Sequence, residues 1–499
     1  MKNTTATVSS IMAITLLGKV LGLWRDRLLV ISYGTGMEAN AFYTASRIPR
    51  VFFDSIFASA VALCLIPVFG KTLQKQGEKK AYDFAGNFIS VLSAVTFVMT
   101  VVGIFFAPQL VELFATGYDS ETKVLTISLT RVLFPTVFMT GIAFSFVGIL
   151  QGREKFVIPA LLSTVSNGII ILYFYLGNLS YGIYGLAVAY LIGWGAQAGM
   201  QIPSLRKLGY RYRPDFSVKS PEMKQAFALM LPVMVSTWVA PINLTVNTRF
   251  ASTLYQGAGV SILEISTNLY LMIAGIFILS LTNVIFPRLS TQSADDFKET
   301  MRETLHISLF FTLPMSLGLA VVAEPLIGLF YGGGAFGPEE IVLTGKALSW
   351  VSLGMVGFGV QNIISRGFFA KEDGKAPLVA GLCSVFLNLI LCVLLVEVWA
   401  VEGLAIASAL SSTVYGLVLL FALEKKEKGI LIPSLGKDFL KMLFSAMAMA
   451  VIAKYVLAFS LGYGKVIALC LTAVFGGGSY FLLAYLLKLP EMMKVMNKE

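Results

Sequence analysis

Two short stretches carry ionisable side chains inside apolar surroundings. GKVLGLWRDRL (18–28) places Lys19, Arg25, Asp26 and Arg27 in an apolar run from Ser10 to Tyr33, and TASRIPRVFFD (44–54) adds Arg47, Arg50 and Asp54. An ionised side chain at the centre of a bilayer costs roughly 2.5–3.5 kcal/mol on insertion scales, so such residues mark a functional path or a paired cluster. At about 100° per residue, Lys19 and Asp26 share one face and Arg25 lies on another flank, while Arg47, Arg50 and Asp54 fall within an arc of about 60°. Pro49 stands between the two arginines and is expected to kink or break that helix. These cations could pair with acids on neighbouring helices and hold a bundle together. They could also bind an anion in a water-filled cavity, and the five cations against two acids favour that reading. An anion such as a phosphate would neutralise the excess, and arginine suits bidentate phosphate contacts.

The elements that position these residues follow from composition. The chain has 499 residues, of which 57% are hydrophobic and 13% charged, with a mean hydropathy of +0.79. A soluble domain usually carries about 25% charged residues, so the class is an all-α integral membrane protein. Taking about 20 apolar residues per crossing, fourteen candidates emerge: 9–32, 39–69, 83–108, 124–150, 156–177, 182–202, 222–251, 258–286, 304–330, 341–369, 376–396, 401–423, 437–459 and 464–487. The opening MKNTTATVSS and the long run behind it do not read as a cleavable secretory signal. Of 38 Lys and Arg, 26 fall in segments assigned to one side, two (Lys123 and Lys465) on the other and ten within candidate helices. That asymmetry places both termini in the cytoplasm by the positive-inside rule. It also assigns the net charge of +10 to orientation rather than to nucleic acid. Cys64, Cys383, Cys392 and Cys470 lie in apolar runs without C-x-x-C spacing, and His306 is the only histidine, so no metal site is expected.

An internal repeat divides the chain. GLAVAYL from Gly185 matches GLAIASAL from Gly403 at a spacing of 218, each behind a helix with Pro and Asn (Pro159 and Asn167; Pro377 and Asn388). The basic segments after Pro67 and Pro287 repeat at a similar interval. Two pseudo-symmetric six-helix bundles are expected, at 1–215 and 216–430, with two additional C-terminal transmembrane helices at 431–499. Parallel repeats place a substrate near the midplane at their interface. In the second half Arg249, in VNTRFAS, either adds a cation to the same cavity or marks a helix end, and Glu264 either pairs with an arginine or couples a cation. The glycine-rich LFYGGGAFGPEE reads as a gate hinge or as a tight turn.

The stretch from VSSIMAITLLGKVLGLWRDRLLV through AFYTASRIP resembles the start of the MurJ (MviN) family of lipid II flippases, and IPVFGKTLQKQG, VFPRLSTQ, LFYGGGAF and ISRGFFAKEDGKAP extend the likeness over nearly the whole chain. The resemblance implies fourteen helices and membership of the superfamily of multidrug, oligosaccharidyl-lipid and polysaccharide exporters. It also implies a charged cavity for the diphosphate and sugar-peptide head group of lipid II. By position Arg25 and Asp26 match the family's R-D pair, and Asp54 matches an acid on helix 2. Lys19 stands where the family usually has Arg, and Asn40 where an Asp is common. Phe53 and Asn268 stand where two further arginines are usual, with Arg50 and Arg249 as the nearest replacements.

The expected function is therefore movement of lipid II from the inner to the outer leaflet by alternating access. The site residues are Lys19, Arg25, Asp26, Asn40, Arg47, Arg50, Asp54, Arg249 and Asn268. The resemblance implies no cofactor, coupling to membrane potential or an ion gradient, and the bacterial cytoplasmic membrane as location. Partners would be lipid II or a similar polyprenyl-diphosphate glycolipid, membrane lipids and cell-wall synthesis proteins. A flippase for another lipid-linked glycan, such as a capsule or exopolysaccharide unit, is the alternative that the departures at Phe53 and Asn268 favour. A homologue that binds without transporting is a further alternative. A drug or cation antiporter would need a dominant acidic site, and a glycosyltransferase would need a loop large enough for a catalytic carboxylate or metal cluster.

Overall fold

The apolar runs fold as helices. The structure is a computed structural model that describes residues 2–53, 64–237, 239–289, 292–371, 373–427 and 431–496. Among these, all regular structure is helical apart from an isolated bridge between Gly333 and Phe336. The chain separates into two compact units, 1–260 and 261–499.

The first unit holds α1 (Lys2–Tyr33), α2 (Met37–Phe53), α3 (Ile66–Gln76), α4 (Glu78–Phe105), α5 (Ala107–Phe114), α6 (Ser120–Leu133), α7 (Pro135–Gly152), α8 (Val157–Leu176), α9 (Asn178–Gly199), α10 (Ile202–Lys207), α11 (Pro221–Thr237) and α12 (Val239–Ala251). Its core gathers Phe69, Phe84, Phe88, Leu92, Phe134 and Val137. The expected span 124–150 falls within one continuous stretch, Ser120–Gly152, in which α6 passes into α7 at Phe134 with helical φ and ψ. Pro135 opens α7 there, at a first-turn position where a missing N–H removes no intrahelical bond.

The second unit holds α13 (Gly259–Leu289, beginning just before the boundary), α14 (Ala294–Phe330), α15 (Pro338–Ser352), α16 (Met355–Ala370), α17 (Lys375–Glu427), α18 (Leu431–Ser460), α19 (Lys465–Leu486) and α20 (Pro490–Met496). Its core gathers Phe297, Met301, Leu305, Phe310, Ile364 and Tyr480. Among the described residues nine helical stretches are long and apolar enough to cross a membrane, or ten with α15 and α16 taken as one span bent by 43°. At 1.5 Å per residue, the 53 residues of α17 would extend about 80 Å, far beyond a hydrocarbon core of about 30 Å. The chain breaks inside it at Ala400 (φ 47°, ψ −126°), between the expected spans 376–396 and 401–423.

This break repeats. Gly182 interrupts α9 with φ 52° and ψ −146°, and it precedes Ala400 by the same 218 residues that separate GLAVAYL from GLAIASAL. The sequence repeat is therefore a repeat of backbone geometry. Gly185 and Gly403, three residues further on, are both closely packed. A Cβ would meet the Tyr173 hydroxyl oxygen at 2.5 Å in the first and the Leu395 carbonyl oxygen at 2.4 Å in the second. The glycine-rich segment behind α14 is a tight turn, in which Gly333 and Phe336 exchange backbone hydrogen bonds of 3.2 and 3.1 Å and Tyr331 and Phe336 are buried.

Candidate functional site

The arrangement around Arg25 begins with close helix packing. GKVLG (18–22) has the G-x-x-x-G spacing that lets two membrane helices approach through backbone contact. A Cβ at Gly18 would lie 3.4 Å from Ser163 and Thr164, and one at Gly22 would lie 3.4 Å from the Asn167 amide, so this face of α1 seats on α8. Asn167 Nδ2 donates to the Gly18 carbonyl at 3.1 Å, and its Oδ1 accepts from Arg25 Nη1 at 3.0 Å.

Arg25 is held from three directions. Its Nε and Nη2 donate to Asp26 Oδ1 at 3.0 and 2.6 Å, and its guanidinium carbon stands 5.6 Å from the centre of the Tyr190 ring on α9. Phe42 of α2 packs edge-on against the same ring at 5.0 Å. Three of the five guanidinium N–H donors are thus engaged by Asp26 and Asn167, which leaves two for a ligand. The side chains of Arg25 and Asp26 remain 25% and 22% exposed. Tyr190 also lies within electrostatic range of Arg50.

The other expected residues divide by role. Lys19 and Arg50 are exposed, and among the described residues Lys19 pairs with no acid. Arg47 is buried and donates to Thr248 Oγ1 on α12. Asn40 is buried, donates to the Thr35 carbonyl at 2.7 Å and so fastens the turn from α1 into α2. Its own carbonyl accepts from Tyr118 at 2.9 Å. Arg249 is exposed and donates to the Leu113 carbonyl at the end of α5 at 3.1 Å, so its anchor differs from the Asn167–Tyr190 seat of Arg25. Asp54 lies outside the described residues. In the second unit, Asn268 donates to Glu264, one helical turn away, at 3.3 Å, and Glu264 is buried.

Chemically, Lys19 offers a mobile point charge, and Arg25 and Arg50 offer planar guanidinium groups. Each is a group that suits an anion with several oxygens, such as a phosphate. Sequence reading missed Asn167 as a partner of Arg25, having noted it only as part of the repeat, and did not mark Tyr190 at all. The G-x-x-x-G spacing of Gly18 and Gly22 was the available signal that α1 must seat closely against another helix.

A model of the family described as lipid II flippase MurJ matches residues 31–475. Among similar proteins, a probable lipid II flippase MurJ of Treponema pallidum is 29% identical over 439 residues, spanning 85% of this chain and 82% of that protein. The lipid II flippase MurJ of Burkholderia cenocepacia is 26% identical over 450 residues, 87% of each. Among solved structures, a lipid II flippase MurJ in an inward closed conformation superposes with a TM-score of 0.80 at 24% identity, over 96% of this chain and 98% of that one. An inward-facing multidrug resistance transporter of the MATE family superposes at 0.66 with 16% identity, over 84% and 97%. These two structures share the fold.

Proposed function

This chain belongs to the lipid II flippase MurJ family, and from that premise we propose that it carries lipid II from the inner to the outer leaflet by alternating access. The match over residues 31–475 is the observation that carries this reading. The protein is a multi-pass membrane transporter, and its activity makes and breaks no covalent bond.

The exposure and contacts within the first unit support the following roles. Lys19 and Arg50, exposed on α1 and α2, receive the diphosphate of the head group. Arg25 adds its two remaining donors, and Asp26, Asn167 and Tyr190 hold that guanidinium in place. The polyprenyl tail stays in lipid while the head group crosses. Moving one charge through 100 mV is worth roughly 2.3 kcal/mol. A site that changes net charge between its loaded and empty states would therefore respond to membrane potential, which is the coupling we favour. Both termini lie in the cytoplasm on this reading, supported by the 26-to-2 asymmetry of Lys and Arg. Proteins of cell-wall synthesis, which supply and consume the cargo, are the partners we expect.

A second reading keeps the fold and changes the cargo to another polyprenyl-diphosphate glycan. It is favoured by Asn268, which stands at a position where an arginine was expected and is bonded to Glu264. Purified protein in proteoliposomes, offered lipid II or a polyprenyl-diphosphate glycan lacking the peptide, separates the two readings by which lipid reaches the opposite leaflet.

A further inference from the structure

A second polar feature of the first unit lies away from the Arg25 cluster. One face of α4 carries Tyr82, Gly86, Asn87 and Ser90, and the extended segment 208–217 is strapped across it. Tyr82 donates to the Leu208 carbonyl at 2.7 Å, Asn87 donates to Asp215 Oδ2 at 3.2 Å and to the Ser217 carbonyl at 2.7 Å, and Ser90 Oγ meets the Tyr212 hydroxyl at 2.9 Å. The absence of a side chain at Gly86 admits the strap, since a Cβ there would stand 3.0 Å from the Arg213 carbonyl.

Strap, α4, α7 and α10 enclose a groove of about 840 Å³, within the range of small-molecule sites. Its wall is apolar, formed by Ile89, Phe138, Ile142 and Phe146, and the exposed Arg206 and Arg211 border it. Among the described residues neither arginine pairs with an acid, and the one acid of the strap, Asp215, is turned to Asn87 and to the Ser217 amide. Tyr210 is 4% exposed, and its buried hydroxyl packs beside Gly86, where a Cβ would stand 3.9 Å from it. An apolar slot bordered by two cations is complementary to an amphiphile with an anionic head. Basic pockets between membrane helices take anionic phospholipids in this way.

We propose that this groove binds one anionic phospholipid. The phosphate rests on Arg206 and Arg211, and an acyl chain lies along Ile142 and Phe146. The site uses none of the residues assigned to the head group of the cargo, so it stands whichever glycan the protein moves.

Native mass spectrometry of the full chain, released from detergent with defined lipids, tests the assignment. Wild type should retain one phosphatidylglycerol and no phosphatidylcholine. The double variant Arg206→Gln/Arg211→Gln should lose at least tenfold in phosphatidylglycerol occupancy. Ile142→Trp, which fills the slot and leaves the arginines, should lose it as well. Lipid-free melting temperatures equal to wild type establish that the variants are folded, and Arg211→Gln alone, on the exposed strap, serves if either is not. Equal retention of phosphatidylcholine, or unchanged occupancy in the arginine variant, would overturn the proposal. So would displacement of phosphatidylglycerol by glycerol phosphate, which would indicate a free-phosphate site, or by undecaprenyl diphosphate, which would make the groove part of the cargo route.

Discussion

Exchanging the residue types at the two repeat-related breaks, Gly182→Ala and Ala400→Gly, should move stability in opposite directions. Both positions have φ near +50° with ψ strongly negative, a region that glycine enters freely and a β-carbon does not. A non-glycine residue held in such a conformation stores on the order of 1–3 kcal/mol. Glycine in turn costs about 0.5–1 kcal/mol through the entropy of the unfolded chain. The difference leaves Ala400→Gly stabilising by about 0.5–2 kcal/mol and Gly182→Ala destabilising by a similar amount. Position 182 gives a clean reading because a Cβ there meets nothing within 4 Å, so the cost is in the backbone alone. For units of this size 1 kcal/mol corresponds to roughly 2–4 °C. Thermal unfolding of the purified protein in detergent, followed by intrinsic fluorescence, should therefore show a rise for Ala400→Gly and a fall for Gly182→Ala. A loss of stability in Ala400→Gly, or no change in Gly182→Ala, would refute the claim that the two breaks share one strained geometry.

Asp26→Asn removes the carboxylate that holds two donors of Arg25. Because the pair is partly exposed, the expected loss is about 1–3 kcal/mol rather than the 3–5 kcal/mol of a fully buried pair, read from the same melts. In the second unit Asp373 accepts from Lys426, and that ammonium together with the Lys375 and Ala376 amides holds its carboxyl below the usual carboxylate range. A depressed carboxylate contributes stability above its unfolded value of about 3.9 and loses it as pH falls through the folded value. Asp373→Asn should melt below wild type at pH 7, and the gap should close in acid below about pH 3.9. His306 Nδ1 lies 3.1 Å from Glu491 Oε1 at the start of α20. His306→Leu should release that helix and speed limited proteolysis at residues 487–490, leaving the rest of the cleavage pattern unchanged.

The helical class and the repeat were legible because a membrane helix must be apolar over its whole length and because the repeat carries a fixed offset. The offset of 218 that aligned GLAVAYL with GLAIASAL also locates the two chain breaks. The partners of the charges were harder to read. Adjacent residues on a helix point in different directions, so nothing in the order R-D indicates that the long guanidinium turns back to reach Asp26. Asn167 and Tyr190 lie 142 and 165 residues from Arg25 in the chain, and only the seating of α1 on α8 brings them near. The pull of Arg249 toward Leu113 is likewise a matter of how α12 meets α5, which hydropathy does not encode. The expected span 222–251 appears as α11 and α12, and the residue between them, Trp238, lies outside the described residues.

The most direct test of the transport account is lipid II movement in proteoliposomes by wild type, Lys19→Ala, Arg50→Ala and, as a control, Lys123→Ala, whose ammonium pairs with Glu112. A charge-assisted hydrogen bond is worth about 1.5–3 kcal/mol, so losing one that acts on the diphosphate should slow movement at least about tenfold. The account predicts that wild type and Lys123→Ala move lipid II and that Lys19→Ala and Arg50→Ala fall by that factor. Full rates in both of those variants, or movement only of a glycan lacking the peptide, would contradict it.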